Sequence, residues 1–146
     1  VGASLRSRAF FLRCRSFFQR LIGREPRPIA ETVTVEDDFE ALVEQAVGSL
    51  PDDLRAFMSN VAVVVEDEPP DGLPLLGLYQ GVPLTRRTSG YAGVPPDRIA
   101  IYRGPLERMT GGDPDRLRVQ VRRVVLHEIA HHFGISDERL RELDRY

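Results

Sequence analysis

The stretch from Asp113 to Gly134 does most to limit what this chain can fold into. Asp113 followed by Pro114 is a helix-start signal. An aspartate can accept from free backbone N–H groups at a helix N-terminus, and proline suits the first helical position, where no N–H partner exists. Leu117, Val121, Val124, Val125 and Leu126 then form one apolar face. Gly134 supplies a stop, because glycine readily takes the left-handed conformation that closes a helix. The spacing predicts a long amphipathic helix ending at His132 or Phe133.

Three apolar runs ahead of it read as strands. "NVAVVVEDEPP", residues 60–70, is almost continuously apolar and stops at a double proline, which suggests a buried central strand. "LPLLGLYQG", residues 73–81, is a second strand, with Gly77 and Gly81 marking a twist and a turn. "RIAIYRGPL", residues 98–106, is a third, ended by Gly104 and Pro105. Two helices precede the strands. Phe39, Leu42, Val43, Ala46 and Val47 share one helical face, and Pro51 can open a short helix with Leu54, Phe57 and Met58 turned inward. A final helix is expected from Ser136 to about Asp144.

Charge divides the chain unevenly. All 20 basic residues are arginines, and the formal net charge is -2. Seven arginines precede Pro28 and are opposed there only by Glu25. The remainder carries 13 arginines against 21 acidic residues, a balance of -8. Residues 1–28 therefore read as a basic N-terminal extension on an acidic body, 31–146. Within the extension, Phe10, Phe11, Cys14, Phe17, Phe18 and Leu21 recur at helical spacing, suited to peripheral membrane or protein contact. An acidic body argues against nucleic-acid binding, which relies on neutralising phosphates. No apolar run is long enough to cross a membrane as a helix. Cys14 is the single cysteine, which excludes an internal disulfide and a thiolate zinc cluster; a cytoplasmic location is the expectation.

The end of the long helix carries the chemistry. "LHEIAHHFGISDERL" holds His127, Glu128 and His131 in a His-Glu-x-x-His pattern. Residues four apart lie on one helical face, about 6 Å from each other, so both imidazoles can reach one metal ion. Glu128 is rotated by about 100°. It replaces neither histidine but can take a proton from a water at the metal. A catalytic zinc keeps three protein ligands and one open position. Gly134 can turn the chain so that Asp137 returns as the third ligand, although iron or manganese would also accept such a donor set. Asp137 has a competing local role, since either Ser136 or Asp137 could cap the final helix. His132 lies one position off the ligand face and reads as a packed histidine or as support for the ligands.

The quoted segments, with "DRIAIYRGPLER" and "VRRVVLHEIAHHFGISDERLREL", resemble the minimal zincin-like zinc metallopeptidases of bacteria, over about four fifths of the chain. The resemblance implies an α+β fold with a short mixed sheet packed against the motif helix. It implies Zn2+ held by His127, His131 and Asp137, with Glu128 as general base and peptide hydrolysis as the activity. It implies that a peptide pairs with an edge strand, for which "GLYQG" is the candidate. Tyr79, Tyr91 and Arg103 are candidates for substrate or oxyanion contacts. No methionine follows the motif, and nine residues follow Asp137. One wall of the usual cleft would then be missing, which favours a small peptide or a disordered protein segment as substrate. The competing reading is a metal-stabilised binding module without catalysis.

Overall fold

The computed structural model describes residues 38–88 and 95–143. The basic extension and Tyr91 lie outside the described residues. Helix α1 spans Asp38–Gly48, followed by the single turn α2, Asp52–Arg55, which runs into a 3-10 turn at Ala56–Met58. Strands β1, Val61–Glu66, and β2, Gly77–Gln80, come next, then β3, Asp97–Tyr102. Three helices finish the chain: α3, Arg103–Thr110; α4, Pro114–His132; and α5, Asp137–Leu143.

The three strands form one mixed sheet in the order β1-β3-β2. Strand β1 is parallel to β3, with Val63 opposite Ile99, and β2 is antiparallel to it, with Tyr79 opposite Ile99. The α+β expectation is met. The expectation for 60–70 needs correction: β3 is the central strand and β1, only half-buried, is at an edge. An apolar run reports what lies above and below a strand, not which strands flank it. The second strand starts four residues later than the apolar run, at Gly77.

Helix α4 lies across one face of the sheet. Val121, Val125 and Ile129 are fully buried there, as are Ile99 and Ile101 of β3. Phe39, Leu42, Val43 and Ala46 of α1 belong to the same core, with Leu54, Leu106, Phe133 and Leu140 filling its margins. At about 1.5–3 kcal/mol for each large side chain withdrawn from water, this packing holds α4 far more strongly than local helix propensity does. No helix among the described residues is long and apolar enough to cross a membrane.

Both ends of α4 follow the sequence. Asp113 accepts from the N–H groups of Asp115 and Arg116, at 3.0 and 3.1 Å. At the other end Gly134 takes φ 82°, the Gly134 N–H bonds to His131 O and the Ile135 N–H bonds to Ala130 O, both at 2.9 Å. These are the two bonds of a Schellman closure. Helix α3 was not expected: Gly104 and Pro105 read as breakers, yet both fit its first turn, where Pro105 needs no N–H partner. Thr110 returns its hydroxyl to Leu106 O at 2.9 Å, and Gly111 closes the helix in the left-handed conformation.

Replacing Asp113 with alanine is expected to lower stability by about 1 kcal/mol. Urea unfolding should show a lower midpoint with an unchanged slope.

Candidate metal centre

The last two turns of α4 and the first residue of α5 build the centre. His127 and His131 project from one face of α4, their rings edge to face with centroids 4.7 Å apart. Asp137 arrives from the other side of the Gly134 turn. Its Oδ1 lies 2.9 Å from His127 Nε2 and 3.1 Å from His131 Nε2. One ligand atom from each residue falls within 4.8 Å of the others. The cluster opens to solvent, with the Asp137 side chain 61% exposed and that of His127 39%.

The turn settles the competition between Ser136 and Asp137. Ser136 Oγ accepts from the Arg139 N–H at 3.3 Å, so Ser136 caps α5 and the Asp137 carboxylate is left for the cluster. The turn also needs a glycine. A Cβ on Gly134 would stand 2.4 Å from Thr85 Oγ1, in addition to the strain of its positive φ.

The donor set fits a metal such as zinc. His131 Nδ1 lies 2.8 Å from Ile135 O, a contact that uses the ring's Nδ1–H and turns the Nε2 lone pair toward Asp137. A lone pair facing a carboxylate oxygen at 3.1 Å calls for a cation between them or a second proton on the ring. Two donors on a tetrahedral zinc with bonds of about 2.0–2.1 Å stand about 3.3 Å apart, within a few tenths of an ångström of the 2.9 and 3.1 Å that separate Asp137 Oδ1 from the two histidine nitrogens. The site lies at the C-terminal end of α4, whose carbonyl dipoles favour positive charge.

Glu128 sits beside the cluster, buried between α4 and β2. Its Oε2 accepts from the Tyr79 N–H at 2.9 Å. Burial pushes its carboxyl above the ordinary range; the two histidines and the Tyr79 N–H pull it down. This contact depends on Gly77. A Cβ there would meet Val124 Cγ1 at 2.8 Å and Glu128 Cγ at 3.0 Å, so only glycine lets α4 come this close to β2.

The other candidates fall elsewhere. The Tyr79 hydroxyl donates to Asp97 Oδ2 at 2.6 Å. Burial and the Asp97 carboxylate both raise the phenol pKa, so it stays a donor. Arg103 pairs with Glu40 of α1 and lies over the Phe39 ring, 5.3 Å from its centroid. Neither side chain is brought to the metal donors. His132 is fully buried, with Nδ1 3.1 Å from Asp97 Oδ2 and Nε2 3.1 Å from Phe57 O. Burial lowers its pKa, against the pull of those two acceptors. Arg87 completes the group through an ion pair to Asp97. Asp97 and Arg87 are functional residues that no motif in the sequence marks. A signal for Asp97 existed: it shares the period-two face of Ile99 and Ile101, and a carboxylate on an inward face needs partners.

A long helix across a small mixed sheet, with two histidines one turn apart and an aspartate returned by a glycine turn, defines a zincin-type metallopeptidase domain. The sequence profile of the family described as zincin-like metallopeptidase matches residues 58–146, and the chain belongs to that family. No curated relative matches the chain.

Gly77→Ala is expected to cost about 1–3 kcal/mol by overpacking α4 against β2. Chemical denaturation should register the loss. Amide exchange at Tyr79 should accelerate as its bond to Glu128 lengthens.

Proposed function

We propose that this domain is a zinc-dependent peptidase that cleaves short peptides or unstructured protein segments. The observation that carries the reading is the convergence of His127 Nε2, His131 Nε2 and Asp137 Oδ1 beside a carboxylate with one oxygen anchored. A zinc ion held by these three donors would acidify a water molecule and polarise the scissile carbonyl. Glu128 has Oε2 tied to Tyr79, so Oε1 is the atom that takes the water's proton and passes it to the leaving amine. The Ile135 carbonyl holds the His131 ring so that Nε2 faces the ion. Asp137 offsets part of the ion's charge.

The edge of β2 supports a peptide substrate. The Tyr102 N–H bonds to Leu76 O at 3.0 Å. By the alternation of an antiparallel ladder, Leu76, Leu78 and Gln80 then turn their backbone groups toward β3. Those of Gly77 and the Tyr79 carbonyl point outward and can meet a strand, while the Tyr79 N–H, on the same edge, is given to Glu128. An extended peptide added along this edge would present its carbonyls to the metal centre.

Mass spectrometry of protein prepared without a metal-affinity tag should find about one zinc per chain. Asp137→Ala should lose most of it. Glu128→Gln should keep the metal and lose about 10²–10⁴-fold in turnover of a peptide library. Retained turnover in that variant would reject Glu128 as the base. Full zinc without cleavage by the parent would mark the domain as a metal-stabilised binding module, and no zinc after zinc addition and dialysis would reject the metal centre.

A further inference from the structure

The Tyr79 side chain reaches away from the metal donors, yet its backbone touches Glu128. That division suggests a task. Strand β2 is four residues long and, among the described residues, paired on one side only, to β3. A short edge strand held by one ladder is free to shift relative to the helix beneath it. Tyr79 removes that freedom. Its hydroxyl donates to Asp97 Oδ2 at 2.6 Å, and Asp97 is in the first position of the central strand. Its ring stands edge-on to His132, with centroids 5.8 Å apart. His132 belongs to α4, which also carries Glu128. One residue is therefore fixed to the central strand and the motif helix together. Its N–H meets Glu128 Oε2 at 2.9 Å. Even Gly81 at the end of the strand fits this clamp, since a Cβ there would stand 2.3 Å from Asp97 Cγ.

We propose that Tyr79 is a positioning residue for the Glu128 carboxylate: clamped by its phenol to buried Asp97, it presents a backbone N–H that holds Oε2 and leaves Oε1 to face the reacting water. This rests on the reading of Glu128 as the general base. Asp97 is the ground of the clamp, and Arg87 and His132 keep Asp97 in place when the phenol is removed. Loss of the hydroxyl alone should therefore loosen β2 without dismantling the network.

The test compares zinc-loaded parent protein with Tyr79→Phe, measuring kcat and KM on a cleaved peptide, zinc per chain, thermal midpoint, and amide exchange at residue 79. The proposal expects kcat to fall about ten- to a hundredfold, as a misplaced reacting group requires. Zinc content should stay within about twofold, since no metal donor is touched; KM should change less than kcat, because the loosened strand still offers its edge to the peptide while the reacting carboxylate is misplaced; and amide exchange at residue 79 should quicken. A kcat equal to the parent's, or one that falls only in step with lost zinc or unfolding, overturns it. A fully loaded parent that cleaves nothing overturns the peptidase reading instead, and the proposal with it; the silent protein is then the parent, so the two failures are distinguishable. Should Tyr79→Phe not fold, Glu128→Ala and Glu128→Gln probe the same bond from the other end. Amide exchange at Tyr79 should quicken in Glu128→Ala and stay near the parent's in Glu128→Gln, which keeps an acceptor oxygen. Exchange unchanged in Glu128→Ala shows that the N–H does not hold the carboxylate, and overturns the proposal.

Discussion

The Asp97 carboxylate is buried on the face of the sheet that α4 covers, and a buried charge costs several kcal/mol unless donors surround it. Tyr79 and Arg87 supply those donors, and His132 lies against the carboxylate with Nδ1 3.1 Å from Oδ2. They come from the edge strand, the turn after it and the end of the motif helix. Satisfying one carboxylate therefore draws together the three segments that border the metal centre. Apolar packing of α4 on Ile99 and Ile101 brings helix and sheet into contact, but apolar contact has little directional preference. The hydrogen bonds to Asp97 choose one register.

The metal donors depend on that register in different degrees. His127 and His131 are set by the helix itself, because residues four apart on a rigid helix share a face. Asp137 depends on the turn. Gly134 reverses the chain, the Ile135 carbonyl fixes the His131 ring, and Ser136 takes the cap that would otherwise compete for Asp137. Glu128 depends on the distance between α4 and β2, which Gly77 permits. Helix, turn and sheet each contribute one part of the chemistry, and each part has its own structural support.

Much of this was legible from residue order. The start of α4 at Asp113-Pro114, its end at Gly134, and the faces of α1 and α4 follow from local rules that act within one or two turns of chain. Strand order was not legible, since the valines of β1 look as central as the isoleucines of β3. Helix α3 was missed because Gly104 and Pro105 are breakers inside a helix but acceptable in its first turn. The sequence places Tyr79 near the expected edge, but the direction of its hydroxyl depends on Asp97, 18 residues away.

The sequence by itself determined the His127–His131 pair, the glycine turn and the offset at which Asp137 follows, because these are matters of helical period and backbone conformation. Only the tertiary structure decided that Ser136 and not Asp137 caps α5, that Glu128 has one oxygen held by Tyr79, and that Asp97 is the anchor of the edge strand. The cap rests on a local bond between Ser136 and Arg139, but the other two outcomes rest on hydrogen bonds between segments distant in the chain. Their formation depends on where packing places each donor and acceptor, a quantity that local residue preferences do not contain.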